Sequence, residues 1–470
     1  MQTEQQTRVE RDSMGEMNVP ATALYGASTQ RAVLNFPVSK LRFNRQFIKA
    51  LGQIKLVAAE VNRDLGLLDA PKADAIIAGA REVIDGKWDE DFVIDIFQTG
   101  SGTSTNMNAN EVIANRAIET LGGKRGERGL IHPNDHVNIG QSSNDVIPSA
   151  IQLAALTAIH EELIPACAEL RDALDEKKRE FWPIIKTGRT HLQDATPIRL
   201  GQEFEGYASQ MTKSIERLQY AEHELGDLPI GGTAVGTGIN AHPDFARRVA
   251  EKLTQMTGVQ VWETQHHFQA QNTLDSLVAA SGMIRVLCVS LFKICNDIRW
   301  MASGPRAGIF ELLLPEVQPG SSIMPGKINP VIPESLVQVA AHAIGNDTTV
   351  MLSGTTGNFE INVMMPVSAH NLLESIDVLA SGIRNFTDQC IRGIQATENG
   401  PAMVEQGLAI CTALAPVIGY DAAAKIAKEA FATGRTIRQI AKERTDLSDA
   451  DLERILNAED MTKPGLEGNA

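Results

Sequence analysis

One apolar stripe constrains this chain more than any other feature. Leu274, Leu277, Ser281, Ile284, Cys288, Leu291, Cys295 and Ile298 recur at intervals of three and four. They therefore share one helix face for about seven turns, close to a heptad seam. A helix of that length needs partner helices along all of it. The sequence supplies them. Phe47, Leu51, Ile54, Val57 or Ala58 and Val61 form a second stripe, and similar patterns run through 151–181, 204–225, 336–351 and 367–386. A bundle of near-parallel helices is the economical solution. Asp275, Arg285, Lys293 and Asp297 interrupt the longest stretch, which predicts a core helix and not a membrane span.

Of 470 residues, 43 are Lys or Arg and 58 are Asp or Glu, a net charge of −15. That balance offers no basic face to nucleic acid or an anionic membrane, and no long-range steering of an anion. An acidic ligand must be held by local donors. The five cysteines, Cys167, Cys288, Cys295, Cys390 and Cys411, form no CxxC pair and predict buried thiols in a reducing compartment. Met1–Arg11 is polar and carries both charge signs, unlike a secretory signal, so a cytoplasmic protein is expected. Three parts are expected: a mixed, mostly helical domain over 1–140, the helix bundle over 141–395, and a smaller helical domain over 396–470.

Between the stripes lie Gly/Ser/Thr/Asn-rich stretches with few charges: 98–110, 132–145, 188–197, 231–240 and 318–330. Polar, weakly charged loops on a rigid scaffold are candidates for a shared site. The last is the most informative. Three prolines and two glycines in Gln318–Pro330 exclude a helix there. Its Gly320-Ser321-Ser322 start can turn successive N–H groups towards one point, an anion nest, and Lys327 and Asn329 add an ammonium and an amide. It is not a phosphate-binding P-loop, because Ile328 stands where Ser or Thr would bind magnesium. Nor is 231–238 a dinucleotide fingerprint, since no valine-rich strand precedes it. The adjacent His266 and His267 read as surface residues, and no HExxH or other metal spacing occurs. His191 sits among hydrogen-bonding neighbours, and Ser101–Thr103 and Ser142–Asn144 add further donors. Serines, threonines and asparagines with one lysine suit a small dicarboxylate, whose oxygens each accept two hydrogen bonds.

Gly320–Pro330 resembles the signature of the fumarase/aspartase superfamily, and the similarity covers essentially the whole chain. Gly188–Ala195, His132–Asp135, Gly357–Val363 and Ile418–Asp421 most resemble class II fumarate hydratases. Asn329–Glu334 and Ile344–Val350 read more like aspartase, so aspartate ammonia-lyase is the alternative. The resemblance implies a mainly α, three-domain fold with a central long five-helix bundle. Four copies would pack these into a twenty-helix tetramer core, each active site being built from three subunits. It implies reversible hydration of fumarate to (S)-malate through an aci-carboxylate, with no cofactor and no metal. By resemblance Ser321 is the base, His191 the acid and Glu334 its charge partner. Lys327 and Asn329 hold the developing charge. Ser101, Gly102, Thr103, Ser142, Ser143, Asn144, Thr190 and Ser322 complete the substrate site. A second dicarboxylate site is implied at His132, Pro133, Asn134 and Asp135, although Gly129 stands where an arginine is usual and Arg128 is its neighbour. A superfamily member kept as a structural protein would not need Ser321, Lys327, Asn329 and His191 together.

Overall fold

The apolar stripes become helices in the computed structural model, which describes residues 6–465. Residues 1–5 of the polar N-terminal stretch, and 466–470 of the expected C-terminal domain, lie outside the described residues. The chain falls into two compact units. One holds the chain up to 165 with 214–288 and 339–380; the other holds 166–213, 289–338 and 381 onward.

Five long helices carry the expected stripes. The first begins as Ser143–Ala158, passes through a π-turn at Ile159–Leu163 and continues as Ile164–Phe181. The others are Leu200–Leu225, Asp275–Met301, Val331–Gly354 and Met365–Gln389. All eight residues of the 274–298 stripe are buried. By length and composition Asp275–Met301 could cross a membrane, but half of its most apolar stretch is buried, as in a core helix.

Side chains link the five helices pairwise. Phe181 meets Phe204 edge to face, with ring centroids 5.1 Å apart. Tyr207 Oη donates to Asp297 at 3.0 Å. Ser281 and Arg285 both donate to Asp347, at 2.7 Å each. Asn346 donates to Glu374 and Ser375, at 3.1 Å each. Arg384 lies 3.8 Å from Glu169, returning to the first helix. Polar pairs of this kind fix rotation and register between apolar faces that would otherwise slide.

In the first unit the helix Arg45–Asp64 starts where Asn44 accepts from Phe47 N, and its stripe residues Phe47, Leu51, Ile54, Val57, Ala58 and Val61 are fully buried. A hairpin, Thr7–Asp12 with Gly15–Pro20, precedes it. In the second unit Tyr420–Thr433, Ile437–Arg444 and Asp449–Ile455 close on a separate small core of Ile410, Leu414, Ile426, Ile440 and Leu452. Two of these helices open with capping boxes, Thr436 with Gln439 and Ser448 with Asp451. Four cysteines are buried and Cys411 is half-buried; burial pushes the Cys288 and Cys390 thiols up to about 12.

Candidate active site

Two of the expected loops in the first unit are in fact helix starts. The segment expected as a loop over 98–110 becomes the helix Thr103–Thr120. It lacks a capping side chain; Gly102 precedes it at φ 72°, and a Cβ there would lie 2.8 Å from Ile147 Cγ2. Ser101 and Thr103 share a hydroxyl–hydroxyl bond of 2.9 Å. Likewise 132–145 contains a single π-turn, Pro133–Val137, and then Ser142 caps the 143–181 helix. Asn144 N donates to Ser142 Oγ at 3.2 Å, and Ser142 N donates to Asp145 at 2.9 Å. The first-turn N–H groups of two helices thus stand beside Ser, Thr and Asn side chains, an arrangement that favours anions.

These two clusters are tied together. Asn106 Nδ2 donates to Ser143 Oγ at 3.0 Å and to Asn138 Oδ1 at 3.3 Å. The glycine-rich 231–240 segment joins them, since Gly231 N and Thr233 N each donate to Asp145 at 2.9 Å and Asn144 Nδ2 donates to Ala234 O at 2.7 Å. Burial raises the Asp145 carboxyl to about 6, against three backbone N–H bonds and the charge of Lys55. Sequence reasoning missed Lys55, Asn106 and Asp145. Asp145 had a signal, because Ser142-x-x-Asp145 is a capping-box pattern. His267 also departs from expectation: it is half-buried, 3.2 Å from Ile230 O, and burial lowers its pKa, whereas His266 is exposed.

In the second unit 188–197 is not an irregular loop but a hairpin, Ile185–Thr190 paired with Gln193–Arg199. Its two-residue turn is His191-Leu192, with φ of 56° and 59°. Both are left-handed, a conformation that Asn-Gly adopts readily and that costs non-glycine residues about 1 kcal/mol or more each. The strained turn places Thr190 and His191 at an exposed tip. Below it a buried charge cluster holds the strand. Lys186 Nζ lies 2.9 Å from Glu203 and 2.8 Å from Glu311, and Arg189 lies 2.9 Å from Glu311. Burial raises the Glu203 carboxyl, opposed by Lys186. A cavity of about 650 Å³ opens here, lined among others by Arg189, His191, Glu203, Tyr207 and Lys293.

The signature loop is irregular, as expected, but its donors differ from expectation. Gly320 N is occupied by Lys327 O at 2.9 Å. The N–H groups of Ile323 and Met324 donate to Ser321 Oγ, at 3.2 and 2.9 Å. Lys327 Nζ donates to Asn329 Oδ1 at 2.5 Å, and Asn329 Nδ2 to Gly320 O at 2.6 Å. Ser321, Lys327 and their neighbours line a cavity of about 370 Å³; Ser322 is exposed. Glu334 lies in the first turn of Val331–Gly354. Among the described residues no hydrogen bond or ion pair joins it to His191.

His132, Pro133 and Asn134 line a further cavity, about 550 Å³, with Arg11, Asp12, Ser13, Ser28, Met107 and Arg128. Arg128 and Arg11 thus give this cavity two guanidinium groups, of which the sequence had not flagged Arg11. Asp135 does not line it. Asn134 N and Asp135 N each donate to His132 Nδ1 at 3.2 Å, which fixes the ring over the start of the π-turn. Among the described residues no group of three or more His, Cys, Asp or Glu is placed to hold a metal ion.

A lyase family model matches residues 15–345, and a fumarase C C-terminus model matches 410–463. A class II fumarate hydratase of Halobacterium salinarum is 50% identical over 460 residues, covering 98% of each chain. A solved class II fumarase from Schistosoma mansoni aligns with TM-score 0.95 at 37% identity, covering 97% of this chain and 99% of that one. A fumarate lyase:delta crystallin structure from Brucella melitensis, bound to cobalt, aligns with TM-score 0.93 at 44% identity, covering 98% and 100%.

Proposed function

The chain belongs to the lyase family that carries a fumarase C C-terminus, and we propose that it catalyses the reversible hydration of fumarate to (S)-malate. Identity near 50% to class II fumarate hydratases favours this over the ammonia-lyase alternative. In the dehydration direction a base removes a proton from malate carbon 3. The electron pair passes into the adjacent carboxylate, giving the aci-carboxylate. It then returns to form the double bond, and the carbon 2 hydroxyl leaves as water with a proton from the acid.

We assign the base to Ser321. The observation that carries this is the pair of main-chain N–H groups converging on its Oγ, which would stabilise an alkoxide in a closed, dry site. His191 is the acid. Lys327 and Asn329 meet the aci-carboxylate, where one preorganised donor is worth roughly 3 kcal/mol. Ser101, Gly102, Thr103, Ser142, Ser143, Asn144, Thr190 and Ser322 position the carboxylates. Because Glu334 and His191 are not joined within one chain, the Glu334 that faces a given His191 is assigned to another copy. A homotetramer with sites built from three copies accommodates that. Exposed Val289, Trp300, Met351 and Leu352 on the long helices support such an assembly.

The three-part division at 140 and 395, a cytoplasmic location and a metal-independent reaction complete the reading. The last fits a donor set of hydroxyls, amides and one ammonium, which suits anions and not metal ions. The cavity at His132–Asn134, with Arg11 and Arg128, suits a second dicarboxylate. The test is to offer the purified protein malate, aspartate and argininosuccinate in turn and follow fumarate absorbance. Release from malate is expected. Release from aspartate alone would establish the ammonia-lyase, and no release from any would leave a structural protein.

A further inference from the structure

Lys55 is a buried charge that none of these roles uses. It lies fully buried on the 45–64 helix, on the face shared with Leu51, Ala58 and Asn62. Its Nζ donates to Asn138 Oδ1 at 2.8 Å and Gln141 Oε1 at 3.0 Å. Those amides belong to the turn that leads directly into Ser142–Asn144. The turn is braced from every side: Asn62 Nδ2 donates to Ile139 O, Asn138 Nδ2 to Gln141 O, and Asn106 Nδ2 to both Asn138 and Ser143. Both close acceptors of the ammonium are neutral. Asp145 is the charged group that acts on it, and that carboxylate is already occupied by Ser142, Gly231 and Thr233.

A buried ammonium without a bonded carboxylate is costly, and a neutral donor would suffice to brace a turn. The cost falls when a dianion arrives nearby. We propose that Lys55 is a positioning residue for dicarboxylate binding: it clamps the 138–141 turn so that Ser142, Ser143 and Asn144 meet the substrate, and its charge offsets the dianion through the Asn138 and Gln141 amides. This rests on the placement of Ser142–Asn144 in the substrate site proposed above. Burial, which lowers the ammonium to about 7 against the pull of Asp145, agrees with a cation lacking a full partner.

The test uses Lys55→Met and Asn138→Asp, the second keeping an acceptor for Lys55 and supplying a counter-charge in exchange for the Asn138 Nδ2 bond to Gln141 O. Steady-state constants for malate are measured with inhibition by succinate, a dianion, and butyrate, a monoanion. Both variants are expected to raise the malate KM and succinate Ki about tenfold, as for loss of a charged hydrogen bond, with kcat within about threefold of wild type. Butyrate inhibition should move much less. Equal weakening of succinate and butyrate, a fall in kcat at unchanged KM, or wild-type constants in both variants would overturn the proposal. If Lys55→Met does not fold, Asn138→Asp decides alone. A wild-type chain inert on malate and fumarate would instead overturn the hydratase reading.

Discussion

Replacing Glu311 by Gln should destabilise the second unit and slacken the hairpin that carries His191. Glu311 is 2% exposed and faces Lys186 at 2.8 Å and Arg189 at 2.9 Å, while Lys186 also faces Glu203. The intact cluster has two cations and two carboxylates. Glu311→Gln leaves an uncompensated buried positive charge, a loss that costs about 3–5 kcal/mol. Arg189 and Glu203 are partly exposed, at 21% and 24%, so solvent screens part of the imbalance and the lower bound of about 3 kcal/mol applies. For a unit of this size that lowers the melting temperature by about 6–12 °C. Lys186→Met leaves the opposite imbalance and should cost a similar amount. The double variant restores charge balance, with Arg189 and Glu203 as the remaining pair of opposite charges in the cluster, so its loss should be well below the sum of the two single losses. Calorimetry of all four proteins gives the coupling. Strict additivity would refute the account of the cluster as a charge-balanced clamp.

Leu291→Ala, on the buried face of the 275–301 helix, should cost about 2–5 kcal/mol by cavity formation, read as a lowered denaturation midpoint. His191→Gly should relieve turn strain and so hold or raise the melting temperature while activity falls by orders of magnitude; retained activity would remove His191 from the reaction. Arg116, bonded to Glu82, holds that carboxyl below its ordinary 4.5, so the pair adds stability above pH 4.5 that is lost as the pH falls through the lowered value. Glu82→Gln should therefore lower the neutral plateau of a stability–pH curve, leave the acid end less changed and so flatten the fall between them.

The long helices were legible because their stripes repeat at 3.6 residues and every stripe residue needs a partner. The signature loop was legible because prolines and glycines leave it no regular alternative. Other features depend on partners far away in sequence. Lys55 hides in an apolar stripe, and only its contacts with Asn138 and Gln141, more than eighty residues on, explain it. The Thr103 helix start has no capping side chain to announce it, since Gly102 turns the chain instead. The His191-Leu192 turn carries neither the Asn nor the Gly that marks such hairpins, because the cluster beneath holds it in place. The sequence does not single out the N–H groups that reach Ser321 Oγ, because every residue of 320–324 offers one; Gly320 N is spent on Lys327 O, and Ile323 N and Met324 N turn to the hydroxyl.

The division of labour between Ser321 and His191 is tested most directly by following malate in deuterium oxide by proton NMR. If Ser321 removes the carbon 3 proton and His191 protonates the leaving hydroxyl, Ser321→Ala should lose both deuterium incorporation at carbon 3 and fumarate formation. His191→Asn should keep incorporating deuterium while fumarate release is suppressed. Incorporation that persists in Ser321→Ala and vanishes in His191→Asn would contradict the assignment.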